Sequence, residues 1–175
     1  MALNINIFFI ILSVGLMMIF LLFKPMHIQQ HKFIDLPLFE LSSFSLYELN
    51  KKGLNNIMLG SKATKYNDRY SVENIDYTDN SRNFIANMKS NTGVYKNDIV
   101  NLEGNVTYTR EDGLVFVAPF ITYNKQTTIA STDSNYVLYK GKDRISGTSL
   151  RYNNISDQVS SKNVLAIYNF KDKQK

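Results

Sequence analysis

The chain of 175 residues contains no cysteine and no tryptophan, and it has only two histidines and three prolines. The absence of cysteine excludes disulfides, thiolate chemistry and cysteine-based zinc sites. No glycine-rich phosphate-binding loop occurs, and the carboxylates are scattered, mostly at turns. The formal net charge of +5 is spread along the sequence without a basic stripe, which argues against nucleic acid as a partner.

His27 and His31 are the two histidines, and they lie four residues apart, a spacing that puts two ligands on one face of a helix. Zinc requires further ligands, and Pro25 discourages a helix at this point. We interpret both histidines as polar residues beside a membrane, away from any serine that they could activate. The sequence therefore predicts no metal site, no cofactor and no enzyme.

One long apolar run stands near the N-terminus. Residues 5–23 (INIFFIILSVGLMMIFLLF) carry no charge, and as a helix they would cover about 28 Å, close to the hydrocarbon thickness of a bilayer. The basic start, shorter apolar run and small-residue cleavage site of a signal peptide are missing. We expect a single uncleaved transmembrane anchor that Lys24 and Pro25 close, within an N-terminal segment of residues 1–32. The few lysines around it leave its orientation open.

Residues 33–175 read as strands separated by turns. The chain has eleven Tyr and eleven Phe, and aromatic and β-branched residues favour sheets. In VNLEGNVTY (residues 100–108) apolar and polar residues alternate, which is typical of a half-buried strand. Glu111-Asp112-Gly113 then predicts a hairpin turn, because Asp-Gly readily adopts positive φ.

The next segment, LVFVAPFITY (residues 114–123), is apolar on both faces. This pattern predicts a strand that is covered on both sides or borders an apolar cavity. Its register stays open, since either Val117 or the opposite set, Phe116 and Phe120, could point inward. Pro119 cannot donate to a ladder, so it predicts an edge or a bulge at that point.

One phrase recurs along the chain. ITYNKQTTIAS (residues 121–131) and LRYNNISDQVSS (residues 150–161) share a Tyr-Asn pair, a short polar stretch and a β-branched residue, and TKYNDRYSVEN (residues 64–74) is a looser copy. The two closer copies are spaced by about 29 residues, as in stacked strand–turn–strand units. Such units bury their apolar faces on one another, which predicts an elongated β-roll.

The order of these segments resembles the LptC family of lipopolysaccharide transport and the related OstA-like repeats. LEGNV (residues 102–106) and GTSLRYNN (residues 147–154) carry most of the match, after an anchor and a glycine-initiated strand at residues 53–67. The resemblance implies a mainly β fold: an elongated, open, twisted β-jellyroll in the bacterial periplasm. It also implies a single-pass tether to the inner membrane.

The same resemblance implies a function and partners. The domain would take lipopolysaccharide or lipooligosaccharide from the LptF and LptG subunits of an ABC transporter driven by LptB, hold its acyl chains in an apolar trough, and pass it to periplasmic LptA through edge-strand contact. Residues 39–49 would face the transporter and residues 164–170 would face LptA. The alternative is a membrane-anchored structural, pilin-like or adhesion protein without lipid cargo, although pilins carry an early glutamate and no acidic residue precedes Asp35.

Alternation and repeat register together predict which side chains contact acyl chains. Packing in an ordinary core is an equally good interpretation of each of them. The predicted lipid-binding residues are Val100, Leu102, Val106, Tyr108, Val117, Ile121, Ile129, Leu150 and Val159.

Overall fold

The computed structural model describes residues 5–22, 35–51, 53–81 and 84–169. The chain divides into two units, Met1–Ile34 and Asp35–Lys175. The first contains helix α1 (Ile5–Leu22). Among the residues that the structure describes, no helix is long and apolar enough to cross a membrane, so the predicted anchor over residues 5–23 is not confirmed. His27, His31 and the predicted boundary after residue 32 lie outside the described residues.

The second unit confirms the predicted mainly β fold. Its described residues form one sheet of nine antiparallel strands whose spatial order equals their order in the sequence. The first and last strands pair on one side only, so the sheet is open. The strands are β1 (Phe39–Asn50), β2 (Gly53–Lys65), β3 (Tyr70–Asp79), β4 (Ala86–Lys96), β5 (Ile99–Arg110), β6 (Leu114–Asn124), β7 (Ile129–Lys140), β8 (Asp143–Asn153) and β9 (Gln158–Ile167).

The recurring phrase is a strand, a four-residue turn and the next strand, as predicted. The turn after β6 is closed by Asn124, whose Oδ1 accepts hydrogen bonds from the backbone N–H groups of Gln126 at 2.9 Å and Thr127 at 3.0 Å. Asn153 does the same after β8, accepting from the N–H of Ile155 at 2.9 Å. In the two closer copies, the shared Tyr-Asn pair thus marks the last strand residues and the side chain that caps the turn.

These turns stack in a column along one end of the sheet. The N–H of Lys125, in the turn after β6, donates to the carbonyl of Asp98 in the turn after β4 at 2.8 Å. The N–H of Asn154, in the turn after β8, donates to the carbonyl of Thr128 at 3.1 Å. Neighbouring turns therefore satisfy one another's backbone groups.

A line of irregular residues, which we call the bulge row, crosses all nine strands near their middles. Successive strand pairs from β4 to β9 shift register there, and several members have positive φ, including Asn74 at 51° and Asn105 at 51°. The Nδ2 of Asn74 donates to Ser61 Oγ at 2.9 Å, which joins neighbours in the row. The bulge row comprises Ser43, Ser61, Asn74, Asn91, Gly104, Asn105, Pro119, Phe120, Asp133, Ser134, Ser149 and Asn163.

Pro119 confirms the predicted bulge. β6 lies between β5 and β7, and its pairing with β5 changes from Glu103–Phe120 to Val106–Ala118, so β5 holds one extra residue opposite the proline. A residue without an N–H is tolerated within a sheet at such a place, where the ladder is interrupted.

The bulge row decides which side chains share a face. In seven of the nine strands the inward side chains on its two sides are three residues apart instead of two or four, as with Val72 and Ile75 in β3. On one side of the row, large and small residues alternate from strand to strand, which lets neighbouring side chains interdigitate. That set, the interdigitated row, is Phe44, Gly60, Ile75, Ser90, Val106, Ala118, Tyr136 and Gly147.

Asp112 links two hairpins at the other end of the sheet. Its carboxylate accepts from Arg110 at 2.7 Å within the turn after β5, and from Lys140 Nζ at 2.8 Å at the end of β7. Two hydrogen bonds hold the pKa of the Asp112 carboxyl well below its ordinary value of 3.8. The bond from Arg110 has the larger effect and the bond from Lys140 the smaller. The ionised Asp112 carboxylate therefore links the end of β5 to the end of β7.

We predict that Gly93→Ala destabilises the sheet by about 1–3 kcal/mol, because overpacking forces neighbours to move. A Cβ on Gly93 would collide with Ile75 Cδ1 and approach Leu102 Cδ2 to 3.0 Å, both in the core. Gly60→Ala is the matched control. Its Cβ would meet the ring end of half-buried Phe44 on the edge strand, which can swing away. Urea unfolding measures both, and equal losses would contradict this account of the packing.

We predict that Asp112→Asn lowers the melting temperature at neutral pH. Because the folded-state pKa is lowered, the carboxylate stabilises the fold above the ordinary carboxyl pKa, and this contribution is lost as the pH falls through the folded-state pKa. The difference from the parent chain should therefore narrow in acid. Glu111→Gln, in the same turn, is the control and should change the pH profile little. A difference that widens on acidification would contradict the prediction.

Candidate functional site

The inner face is the side of the sheet that carries the apolar members of the alternation. Its centre is closed, since Val106 is 0% exposed and Leu102 is 2% exposed. The buried residues come from both sides of the bulge row and pack against one another, so the row folds the face onto itself. The core cluster consists of Ile75, Leu102, Val106, Phe116, Ala118, Ile121 and Tyr136.

Tyr136 connects the core cluster to β9. Its ring stacks on Phe116 with centroids 5.6 Å apart. Its hydroxyl lies 2.8 Å from Ser161 Oγ, and that serine donates to the carbonyl of Thr148 at 3.1 Å. A buried tyrosine usually pairs its hydroxyl in this way, and the pairing joins β6, β7, β8 and β9.

The inner face becomes exposed toward both edges of the sheet. On β1, Leu41 and Leu46 are 48% and 60% exposed, and they continue the face by pairing with Ala63 and Met58. On β9, Val159 pairs with Tyr152 and is 62% exposed. The apolar surface therefore runs from a closed centre to two open strands that retain free backbone donors and acceptors.

Charged groups are few on the inner face. Within the described ranges, no group of three histidine, cysteine or acidic residues could hold a metal ion. In the described strands, charged side chains on this face lie only at strand ends, outside its apolar middle. These residues are Glu48, Lys65, Asp79, Arg110, Lys140 and Asp143.

Six of the nine predicted lipid-binding residues come together on the inner face. Leu102, Val106 and Ile121 belong to the core cluster. Val100, Tyr108 and Leu150 pack against it while staying partly exposed. The alternation that predicted a shared face in β5 is confirmed, whereas contact with lipid stays a prediction.

Of the other three predicted residues, Val117 and Ile129 lie on the opposite face, and Val159 lies at the exposed edge of the inner face. Val117 pairs with Val137, one step from the inward pair of Phe116 and Leu138, so it points to the opposite face. There it lines an open depression of about 250 Å³ along the bulge row. The physical reason is the register shift at Pro119, which puts Phe116 and Ile121 on the same face although their parity differs.

Ile129 also lies on the opposite face, because it pairs with Asn124 and Asn153 while Ala130 takes the inward position opposite Tyr123. Val159 continues the inner face but stands exposed on the edge strand. Both residues border an open depression of about 590 Å³ beside β8 and β9.

Sequence reasoning missed Ile75, Ala118 and Tyr136 as members of the core cluster. Ala118 and Tyr136 flank irregular positions, where a strict period of two fails. The available signal was the series of Asn, Gly and Pro residues in mid-strand, since Asn and Gly tolerate positive φ and Pro interrupts a ladder.

The fold and this face define an open antiparallel β-roll, apolar on one side, sealed at its centre and unpaired at both edges. Residues 7–168 match the family model described as lipopolysaccharide-assembly, LptC-related. The chain belongs to this LptC family, because the match covers most of its length. A search of curated proteins gives no match to the chain.

Family membership confirms the resemblance that the motifs indicated. At the level of the family, the chain is a component of lipopolysaccharide transport. The family is one of transport components and not of known enzymes.

We predict that Leu102→Ala lowers the free energy of unfolding by about 2–5 kcal/mol, because it leaves a cavity in the closed centre. Val159→Ala, at an exposed edge position, should change it by less than about 0.5 kcal/mol. Chemical denaturation measures the free energy of unfolding of both variants and so distinguishes a buried core residue from an exposed edge residue. Similar losses at both sites would show that the edge of the inner face is covered in solution.

Proposed function

We propose that the chain carries lipopolysaccharide or lipooligosaccharide from the inner toward the outer membrane by holding acyl chains against the inner face. The observation that supports this most directly is the continuity of that face from its core to the exposed side chains of β1 and β9. An ordinary core ends in polar residues at its rim, whereas this one ends in leucine and valine at both open strands.

The energetics of the cargo favour such a surface. Each acyl methylene that leaves water contributes about 0.8 kcal/mol, so a dozen methylenes contribute on the order of 10 kcal/mol. A lipid that crosses an aqueous compartment therefore needs apolar cover along its whole route. The exposed edges of the inner face are the places where such cover could pass from one protein to the next.

The partners follow from the free strands. Residues 39–49 on β1 would receive lipid from the transporter subunits LptF and LptG, energised by LptB, and residues 164–170, at the end of β9 and beyond, would contact LptA. Pairing of edge strands would make the sheets continuous, and adjacent inner faces would then form one trough. Family membership supports placing the β-unit in the periplasm at the inner membrane.

Family membership also favours transport over the alternative of a structural, pilin-like or adhesion protein. That alternative would need the exposed leucines and valines of β1 and β9 to be covered permanently by other subunits. Recovery of lipid-free assemblies of the chain from cells would favour it.

We predict that a photo-crosslinking amino acid at Leu46 or Val159 captures lipopolysaccharide in living cells during active transport. Both positions are more than half exposed on the inner face of an edge strand. Covalent adducts are read by immunoblotting against the chain and against the lipid, with and without depletion of cellular ATP.

The neighbouring residues provide matched controls. Ser45 and Ser160 lie one position away on the same strands, are exposed, and face the opposite side. They should yield few adducts. Equal capture at both members of each pair would show that lipid does not follow the inner face, and capture at neither would remove the proposal.

A further inference from the structure

Ser90 is a buried polar residue in the middle of the inner face. It lies in β4, is 5% exposed, and belongs to the same face as Met88, which packs against the core cluster. On one side it pairs with Ile75, and on the other the register brings it beside fully buried Val106. Its Oγ has no hydrogen-bond partner.

The other buried hydroxyls of the described residues are satisfied. Thr64 Oγ1 lies 3.5 Å from Glu40 Oε1, and Thr132 Oγ1 accepts from the N–H of Ser134 at 3.2 Å in the bulge row. Burying a hydroxyl without a partner is unfavourable, so native structures seldom do it. Ser90 therefore differs from its peers and requires an explanation.

Packing does not explain the hydroxyl. Ser90 occupies one of the small positions of the interdigitated row, and the other small positions hold Gly60, Ala118 and Gly147. In β4 itself the buried inward residue Ala86 has no polar group. Alanine would fill the space at position 90 equally well, so the oxygen adds an unpaired donor and acceptor to an apolar surface without improving the fit.

We propose that Ser90 is the polar contact for a hydroxyl group borne by an acyl chain in the trough. This inference rests on the proposed function and specifies its ligand: a hydroxylated fatty acyl chain is preferred over a plain one. A serine hydroxyl both donates and accepts, which matches the two roles of a hydroxyl on the chain. The surrounding apolar wall makes the contact selective, because an unhydroxylated chain leaves the serine unpaired.

The route to Ser90 starts at the open β1 edge. An acyl chain that follows the interdigitated row from Phe44 passes Gly60 and then Ile75, which is 7% exposed and covers the way to Ser90. The Phe44 ring fills the space beside Gly60, so the chain gains that space only when the ring moves. Displacement of Ile75 and Phe44 lets the chain take their place against the core.

The test measures a ratio of affinities in the full-length chain. β-Hydroxymyristic acid and myristic acid are titrated in the same detergent against the parent, Ser90→Ala and Ser71→Ala. Ser71 is the matched control, since it lies in adjacent β3 on the opposite face. Comparing ratios between variants cancels the different partitioning of the two acids into detergent.

The expected result is a preference for the hydroxylated acid in the parent and in Ser71→Ala that falls by about fivefold in Ser90→Ala, while the affinity for myristic acid is retained. An unchanged ratio in Ser90→Ala would overturn the inference and leave the proposed function standing. Failure of the parent to bind either acid would overturn both.

The melting temperature of Ser90→Ala gives an independent readout. Removing an unpaired buried hydroxyl should leave stability unchanged or raise it. A marked loss of stability, comparable with that of a core truncation, would show that the hydroxyl has a structural partner in solution and would also overturn the inference.

Discussion

One sheet has to cover its own apolar face. Two packed layers usually share that task, but the described part of the second unit offers only nine strands in a single sheet. The bulge row makes self-coverage possible, because an extra or left-handed residue in strand after strand re-aims side chains and bends the strands. Side chains on its two sides, such as Leu102 and Val106, then meet in one cluster.

Coverage by bending is complete only where strands have neighbours on both sides. β5 and β6 lie at the centre and hold the most buried residues, whereas β1 and β9 have one neighbour each and leave leucine and valine exposed. Free backbone groups and uncovered apolar side chains therefore occur together at both edges. For an isolated domain this combination is an aggregation hazard. Under the proposed function, pairing of these edges with other sheets would let lipid pass between them.

The sequence predicted what depends on local chemistry. Alternation placed Val100, Leu102, Val106 and Tyr108 on one face, and Asp112-Gly113 formed the predicted turn. The register of whole strands was harder to predict from the sequence. A single extra residue in the bulge row moves every later side chain of that strand to the opposite face of the sheet. Val117 and Ile129 were misassigned for this reason.

The residue types of the bulge row explain which bends could be predicted from the sequence. Pro119 predicted an edge or a bulge because it lacks a backbone N–H. Asn74 and Asn105 have positive φ, which asparagine tolerates better than most residues. Ser149 adopts positive φ without belonging to such a type, and only pairing with β7 and β9 shows why its strand must bend. The exposure of β1 and β9 depends on the assembled sheet, so the residue pattern of either strand could not predict it. Only the family resemblance implied that the sheet is open.

Native mass spectrometry of the full-length chain, isolated from lipopolysaccharide-producing bacteria, tests most directly whether the inner face carries this lipid. The account predicts a population with one lipopolysaccharide molecule per chain, which is lost when Leu41 and Leu46 on the exposed edge are both replaced by glutamate in a chain that still shows its sheet spectrum. Isolation of the folded parent chain without lipid, or with phospholipid alone, would contradict it.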